Sequence, residues 1–295
     1  MICLVGVAGD HRGWHALLPI KRNATVSSAD YEYGNIVDLE RYPLHDADGD
    51  ACRTLVRRLR QQLADEQYCE MPGFLLEACR LEEIERVKPV IPQANHASSM
   101  RNLYLEREPD PAPPTDQPRN RFNPASYHMM GAHLLPDDSA LKRLYYWSVF
   151  RQFVSRITEE TLYPSADPYQ PVNVLCHMAG DRSAWHFDSD NAFTMTLMLQ
   201  APEGGGVFEM LPNSRSPEDP NIAGLQHFLD GDRSGVKSLT REEGTLMIFR
   251  GRDSAHQVTP VTGERERLMC VMVYEHAPGV IGDPVVNATV YGVEA

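Results

Sequence analysis

The sequence has few basic residues and no long apolar run. Its 28 lysines and arginines are outnumbered by 41 acidic residues, which gives a net charge of −13 at pH 7 and a pI near 5.3. A nucleic-acid partner is not expected, because phosphate binding needs a basic surface. A membrane partner is not expected either, because no apolar run approaches the roughly 20 residues that span a bilayer.

The chain also lacks the signals of an exported or zinc-binding protein. The apolar segment 1–7 has no basic residues and is too short for a secretory signal, so we predict that it forms a first β-strand of a cytoplasmic protein. No two cysteines have C-x-x-C spacing, which argues against a zinc site or a disulfide framework. We expect free and mostly buried thiols at Cys3, Cys52, Cys69, Cys79, Cys176 and Cys270.

No internal repeat and no long linker divides the chain. Its 295 residues, 42% of them apolar, are enough for a sizeable core. We predict a single domain, 1–295, that consists of a support region at 1–168, a core at 169–278 and a C-terminal tail at 279–295.

The support region shows helical patterns. One apolar stripe indicates a helix over Ala51–Gln67, and a second helix is predicted over Leu76–Val87. A third begins near Asp138 and ends before Pro164. Between them, 109–124 contains six of the 22 prolines and is predicted to be an extended loop without a helix. The basic residues of these helices are expected to form a solvated face.

The core shows a different pattern. Short apolar runs rich in β-formers, separated by glycine turns, predict strands near 172–178, 193–199, 207–211, 245–249, 258–261 and 267–274. Regular turns between such strands favour an antiparallel double-sheet barrel. The predicted fold is therefore mainly β with flanking α-helices, around a jelly-roll or cupin-like core.

A possible metal site lies within this core. His186 and Asp188 are separated by one residue, so on a strand their side chains point to the same face. With His256 from a second strand they would form a 2-His-1-carboxylate set, the ligands of non-heme Fe(II) oxygenases. The alternative is a surface His-Asp pair and an unrelated histidine.

These motifs resemble those of the Fe(II)/2-oxoglutarate-dependent oxygenases. The resemblance covers 173–274 and implies a double-stranded β-helix that binds Fe(II), 2-oxoglutarate and O2. It is carried by His186-Phe187-Asp188, Gly205-Gly206, Gly244–Phe249 and His256–Val261 with the arginines that follow. Softer motifs resemble the branch that hydroxylates or halogenates free amino acids: Asp38–Leu44, Gln117–Arg119, Gly180-Asp181 and Trp185.

The resemblance also implies a cation that binds the distal carboxylate of 2-oxoglutarate. Arg265 and Arg267 are both candidates, since strand alternation places them on one face. We favour Arg267, which lies deeper in an apolar strand, where a buried arginine needs an anion. Arg265 is expected at a solvated strand end. Halogenases of this branch carry a small residue where this chain has Asp188, so hydroxylation is expected, with desaturation and ring closure left open.

The substrate contacts are less specified by the sequence. Asp190 is a candidate for a substrate ammonium group, Arg215 for a carboxylate, and Tyr291 for closing the pocket. The alternatives are an exposed acid at a strand end for Asp190, a surface ion pair for Arg215 and an anchor of the C-terminus for Tyr291. His177 is interpreted as a strand residue with a hydrogen bond near the cosubstrate.

We expect a small-molecule substrate and no catalytic residues beyond the metal ligands. Two other functions stay open, a peptidyl-residue hydroxylase and a non-catalytic cupin-like binding protein. The sequence does not indicate an oligomeric state.

Overall fold

The structure, a computed structural model, describes residues 32–112, 114, 117–188 and 193–294. The predicted strand at 1–7 and Cys3 lie outside them, and the extent of the domain, 1–295, stays a prediction. The helices of the described residues are α1 Asp50–Glu66, α2 Glu77–Val87, α3 Ala140–Tyr146, α4 Ser148–Thr158, α5 Ile222–Leu229 and α6 Pro284–Tyr291.

The third predicted helix is wrong as one element, because it is two helices. The backbone leaves the helical conformation at Trp147, where ψ is 112°, so α3 ends there and α4 starts. Ser139 caps α3 by accepting a hydrogen bond from the amide of Leu141. Both helices bury an apolar stripe, which is why apolar spacing alone does not reveal the break.

The strands follow in chain order as β1 Tyr68–Met71, β2 Asn95–Arg101, β3 Asn123–Met130, β4 Tyr163–Pro164, β5 Val172–His177, β6 Ser183–His186, β7 Thr194–Gln200, β8 Gly204–Gly205, β9 Phe208–Leu211, β10 Lys237–Leu239, β11 Leu246–Phe249, β12 Ala255–Val258, β13 Val261–Thr262, β14 Arg267–Met272 and β15 Tyr274–Glu275. Seven form an antiparallel sheet in the order β1-β11-β7-β14-β5-β3-β2. A smaller antiparallel sheet has the order β10-β9-β12-β6.

The two sheets form the double-stranded β-helix core that the sequence predicts. Helices α1 to α4 cover the outer face of the seven-stranded sheet and share one hydrophobic cluster with it, to which Leu59, Phe150 and Leu197 belong. The inner face of that sheet turns toward the smaller sheet. A cavity of about 320 Å³ lies between them.

Several elements are absent from the sequence-based prediction. β2 and β3 contain no valine, isoleucine or threonine, so strand propensity does not mark them. Strand pairing stabilises them, with β2 on β3 and β3 on β5. The predicted loop 109–124 needs correction, because it contains a short 3-10 helix, Pro118–Asn120, and the start of β3. The predicted C-terminal tail contains α6.

Two further features concern membrane-spanning helices and cysteines. Among the described residues, no helix has both the length and the apolar character that a membrane span requires. The described cysteines, Cys52, Cys69, Cys79, Cys176 and Cys270, are free and buried. This confirms the prediction of buried thiols for those five residues.

Candidate active site

The three predicted metal ligands come together at the edge of the smaller sheet. His186 is the last residue of β6 and lies directly opposite His256 on β12. Their ring centroids are 4.3 Å apart. Asp188, two residues beyond His186, places Oδ1 3.7 Å from His186 Nε2 and 3.5 Å from His256 Nε2. One ligand atom from each residue lies within 4.8 Å of the others, which is compatible with a single shared ion.

Backbone carbonyls set the orientation of both imidazoles. His186 Nδ1 lies 2.7 Å from the carbonyl of Ala184, and His256 Nδ1 lies 3.0 Å from that of Ser254. A carbonyl only accepts, so Nδ1 donates in each ring and each Nε2 faces Asp188. Burial lowers the pKa of His186 to about 4, and the neighbouring His256 adds to the effect. The neutral form, which binds metals, is thereby favoured.

Asp188 is held by contacts on its other side. Burial alone would raise its pKa, but His256, His186 and the Thr194 hydroxyl together lower the pKa of this carboxyl well below its usual range. Thr194 donates a hydrogen bond to Oδ2, which leaves Oδ1 directed at the histidines. Gly251 lies so close that a Cβ there would overlap Oδ2, so this position requires glycine.

The ligands form part of the wall of the cavity, and Arg267 forms another part. Arg267 is 1% exposed, and its Nε donates to the carbonyl of Gly206 at 3.1 Å. No carboxylate of the described residues pairs with it. Burial lowers its pKa to about 9, with a further contribution from Arg241. Arg265 is exposed and lies outside the cavity, in an ion pair of 2.7 Å with Glu243.

His177 lies beside Arg267, on the paired strand β5. It is fully buried, and its Nε2 is 3.0 Å from the hydroxyl of Ser183. Its Nδ1 has no hydrogen-bond partner. Burial and the charge of Arg267 hold the pKa of His177 well below its usual value. A neutral imidazole with one unpaired nitrogen therefore lines the cavity.

Three cavity residues escape the sequence analysis. Arg241 and Arg101 are buried cations, and Thr194 orients Asp188. The arginines lie in irregular or weakly patterned segments, so no local signal identifies them. Thr194 does have a local signal in the sequence, because it alternates with apolar residues on β7 and hence marks a polar inner face.

The predicted substrate residues have different positions. Asp190 lies outside the described residues. Arg215 is not among the lining residues: its guanidinium lies 3.9 Å from the centroid of Phe187, and its Nε donates to the carbonyl of Arg252. Tyr291 lines the cavity and stacks on Tyr169, with centroids 5.8 Å apart.

Comparison with known proteins gives one family and a set of similar folds. The family model described as "HalD: Halogenase D" matches residues 52–282. No curated protein matches the sequence. The fold is similar to the non-heme alpha ketoglutarate dependent carbocyclase SnoK from nogalamycin biosynthesis, with a TM-score of 0.55 and 13% identity over 83% of this chain and 94% of that chain.

Two further structures have similar folds. One is the non-heme alpha ketoglutarate dependent epimerase SnoN from nogalamycin biosynthesis, with a TM-score of 0.53 and 13% identity over 76% of this chain and 82% of that one. The other is AviO1 from Streptomyces viridochromogenes Tue57, with a TM-score of 0.51 and 15% identity over 77% and 97%. At these identities the likeness establishes the fold alone.

Proposed function

Because the chain belongs to the halogenase D family, among the Fe(II)/2-oxoglutarate-dependent oxygenases, we propose that it hydroxylates an unactivated C–H bond of a free amino acid or a small amino-acid derivative. Desaturation and ring closure are alternative outcomes at the same carbon. The observation that carries this proposal is the convergence of two imidazoles and one carboxylate on one wall of the cavity.

His186, Asp188 and His256 are the proposed Fe(II) ligands. Iron, when bound with 2-oxoglutarate and O2, supplies the oxidant that removes hydrogen from the substrate and delivers oxygen to the carbon. The donor set fits this metal, because both Nε2 atoms and Oδ1 are free of other partners while Nδ1 and Oδ2 are held. Three ligands on one side would leave the remaining coordination positions to the cosubstrates.

Arg267 is the proposed anchor of 2-oxoglutarate. Its buried guanidinium has no acid partner among the described residues, and a fork of N–H donors matches a carboxylate. Arg265 is already paired with Glu243 outside the cavity. This contrast supports the choice of Arg267 over Arg265 as the cosubstrate anchor.

Asp188 supports oxygen insertion over chlorination. Its carboxylate fills the third ligand position, and its negative charge opposes a second anion beside it. Thr194 and the close approach of Gly251 hold that carboxylate in place. Chloride would therefore have to displace a well-anchored ligand.

Arg101 supports a substrate that carries a free carboxylate. It lines the cavity, is 9% exposed and donates to Ser99 Oγ and the carbonyl of Leu105. None of the described acids pairs with it. We therefore propose Arg101 in place of Arg215 as the carboxylate partner, with Asp190 for the ammonium group and Tyr291 as the closing residue.

The test is a product screen with matched substrates. The protein is incubated with Fe(II), 2-oxoglutarate, air and a panel of free amino acids, each compared with its amide and with the same residue inside a blocked peptide. We expect succinate and a mass gain of one oxygen for a free acid, and much less for its amide. Asp188→Ala is the inactive control.

Two results would contradict the proposal. Oxidation of the blocked peptide as efficient as that of the free acid would indicate a peptidyl-residue hydroxylase. Succinate release with none of these substrates, together with no visible charge-transfer band in the anaerobic complex with Fe(II) and 2-oxoglutarate, would indicate a binding protein.

The five buried free thiols support a reducing compartment, and we propose the cytoplasm.

A further inference from the structure

Arg241 is a second buried cation in the cavity that the assignment of Arg267 does not explain. It precedes β11 and is 6% exposed. Its Nη1 donates to Thr196 Oγ1 at 2.5 Å, and its guanidinium carbon lies 4.8 Å from the centroid of Phe208. Its Nε is buried and has no hydrogen-bond partner. No described carboxylate forms an ion pair with it.

A buried guanidinium without an acid is costly, and two in one cavity repel each other. Burial lowers the pKa of Arg241 to about 10, although the carboxylate of Glu70 opposes this. Burial and the charge of Arg241 lower the pKa of Arg267. The free-energy cost of removing both guanidinium charges from water is offset when one anion contacts both groups. The pair therefore indicates an anionic ligand between them.

Arg241 contacts residues of the cavity wall that lie near the proposed metal ligands. Thr194 holds Asp188, and Thr196 is the next inward-facing residue on β7, opposite Val271 of β14. Arg267 lies on the same strand face as Val271, and both arginines line the same cavity. Phe208, beneath the Arg241 guanidinium, has its ring centroid 5.6 Å from that of His256.

We propose that Arg241 is a second anchor for the distal carboxylate of 2-oxoglutarate and holds it together with Arg267. This inference rests on the proposed function, which assigns the cosubstrate to this cavity. A carboxylate has about four acceptor positions and can accept from both guanidinium groups. The orphaned Nε of Arg241 is the donor still without an acceptor. The two arginines together would select a diacid over a monoacid.

The test compares 2-oxoglutarate with pyruvate, which has the same 2-oxo acid end but no distal carboxylate. Binding to Mn(II)-loaded protein is measured by titration calorimetry, so that no turnover is required. Loss of one charge-assisted hydrogen-bonding group is expected to raise the Kd for 2-oxoglutarate about tenfold to a hundredfold in Arg241→Met. The Kd for pyruvate should stay unchanged.

Three further variants complete the experiment. Arg267→Met should weaken the binding of 2-oxoglutarate at least as much as Arg241→Met does. The double variant should bind 2-oxoglutarate no more tightly than pyruvate. Arg241→Lys keeps the charge but not the planar fork, so it should recover part of the affinity for 2-oxoglutarate. Arg265→Met, outside the cavity, is the matched control and should change neither Kd.

The outcomes separate this inference from the proposed function. A Kd for 2-oxoglutarate within about twofold of wild type in Arg241→Met, with a large increase in Arg267→Met, overturns the role of Arg241 and leaves the proposed function intact. Equal weakening of 2-oxoglutarate binding and pyruvate binding in Arg241→Met also overturns the role of Arg241, because the effect would not involve the distal carboxylate. If wild-type protein binds no 2-oxoglutarate, both proposals fail.

Discussion

The two faces of the seven-stranded sheet are built from alternate residues of the same strands, yet they have opposite chemistry. On β5 and β14 the outward residues Val174, Cys176, Leu268, Cys270 and Met272 belong to the main hydrophobic cluster. The inward residues of the same strands line the cavity and include Asn173, His177 and Arg267. Helices cover the outer face, whereas the inner face holds buried polar groups, several of them unpaired. The outer face therefore stabilises the fold, and the inner face is shaped for ligands.

The largest effect is expected from the loss of a proposed metal ligand, which lines the cavity between the inner face and the smaller sheet. Asp188→Ala should reduce succinate formation by more than about a hundredfold, since even residues that only orient metal ligands cost 10–100-fold. Thr194→Val, which removes the hydrogen bond to Asp188 Oδ2, should fall in that intermediate range. Melting temperatures of both variants should stay close to wild type. An active Asp188→Ala protein would remove this residue from the site.

On the outer face, the expected loss is in stability. Leu268 is fully buried under the helices, so Leu268→Ala should lower the free energy of unfolding by about 2–5 kcal/mol. Val271→Ala is the matched inner-face change and should cost less, because its side chain already faces a cavity. Urea titration of both variants measures the difference. Equal losses would mean that the cavity wall is packed as tightly as the helical face.

A smaller effect is expected from pH, and the buried histidines around the cavity contribute to it. The pKa of His186 is lowered to about 4 and that of His177 is also depressed, mainly by burial. Between the unfolded value near 6.5 and the folded value, only the unfolded chain binds these protons. Metal-free protein should thus keep its full stability above about pH 6.5 and lose up to about 1.4 kcal/mol per pH unit per histidine below it.

Urea titrations of metal-free protein at pH 7 and pH 5 check this expectation. His177→Gln should reduce the difference between the two free energies of unfolding. Leu268→Ala should lower both by the same amount, since no titrating group is changed. A His177→Gln protein with an unaltered pH dependence would contradict the depressed pKa of that imidazole.

The comparison also explains how much the sequence could predict. The metal-ligand candidates follow from local spacing, because a one-residue gap on a strand determines which face two side chains share. The core strands β5, β7, β9, β11 and β14 follow from apolar runs. Arg241 and Arg101 meet the ligands only through tertiary packing, from distant segments without periodicity. Likewise β2 and β3 are strands because β3 pairs with β5 and β2 pairs with β3, and their own residues do not favour that state.

The smallest expected effect, none at all, concerns chloride. As the proposed third ligand, Asp188 would present one charged oxygen to the metal while Thr194 holds the other oxygen. An added anion would therefore meet both steric and electrostatic opposition. Turnover with and without high chloride should give the same product mass, measured by mass spectrometry. Asp188→Gly opens that position and is the matched variant for chloride dependence, although the loss of a ligand should leave it weakly active. A chlorinated product from the wild-type protein, identified by its isotope doublet, would overturn the role of Asp188 and with it the proposed oxygen insertion.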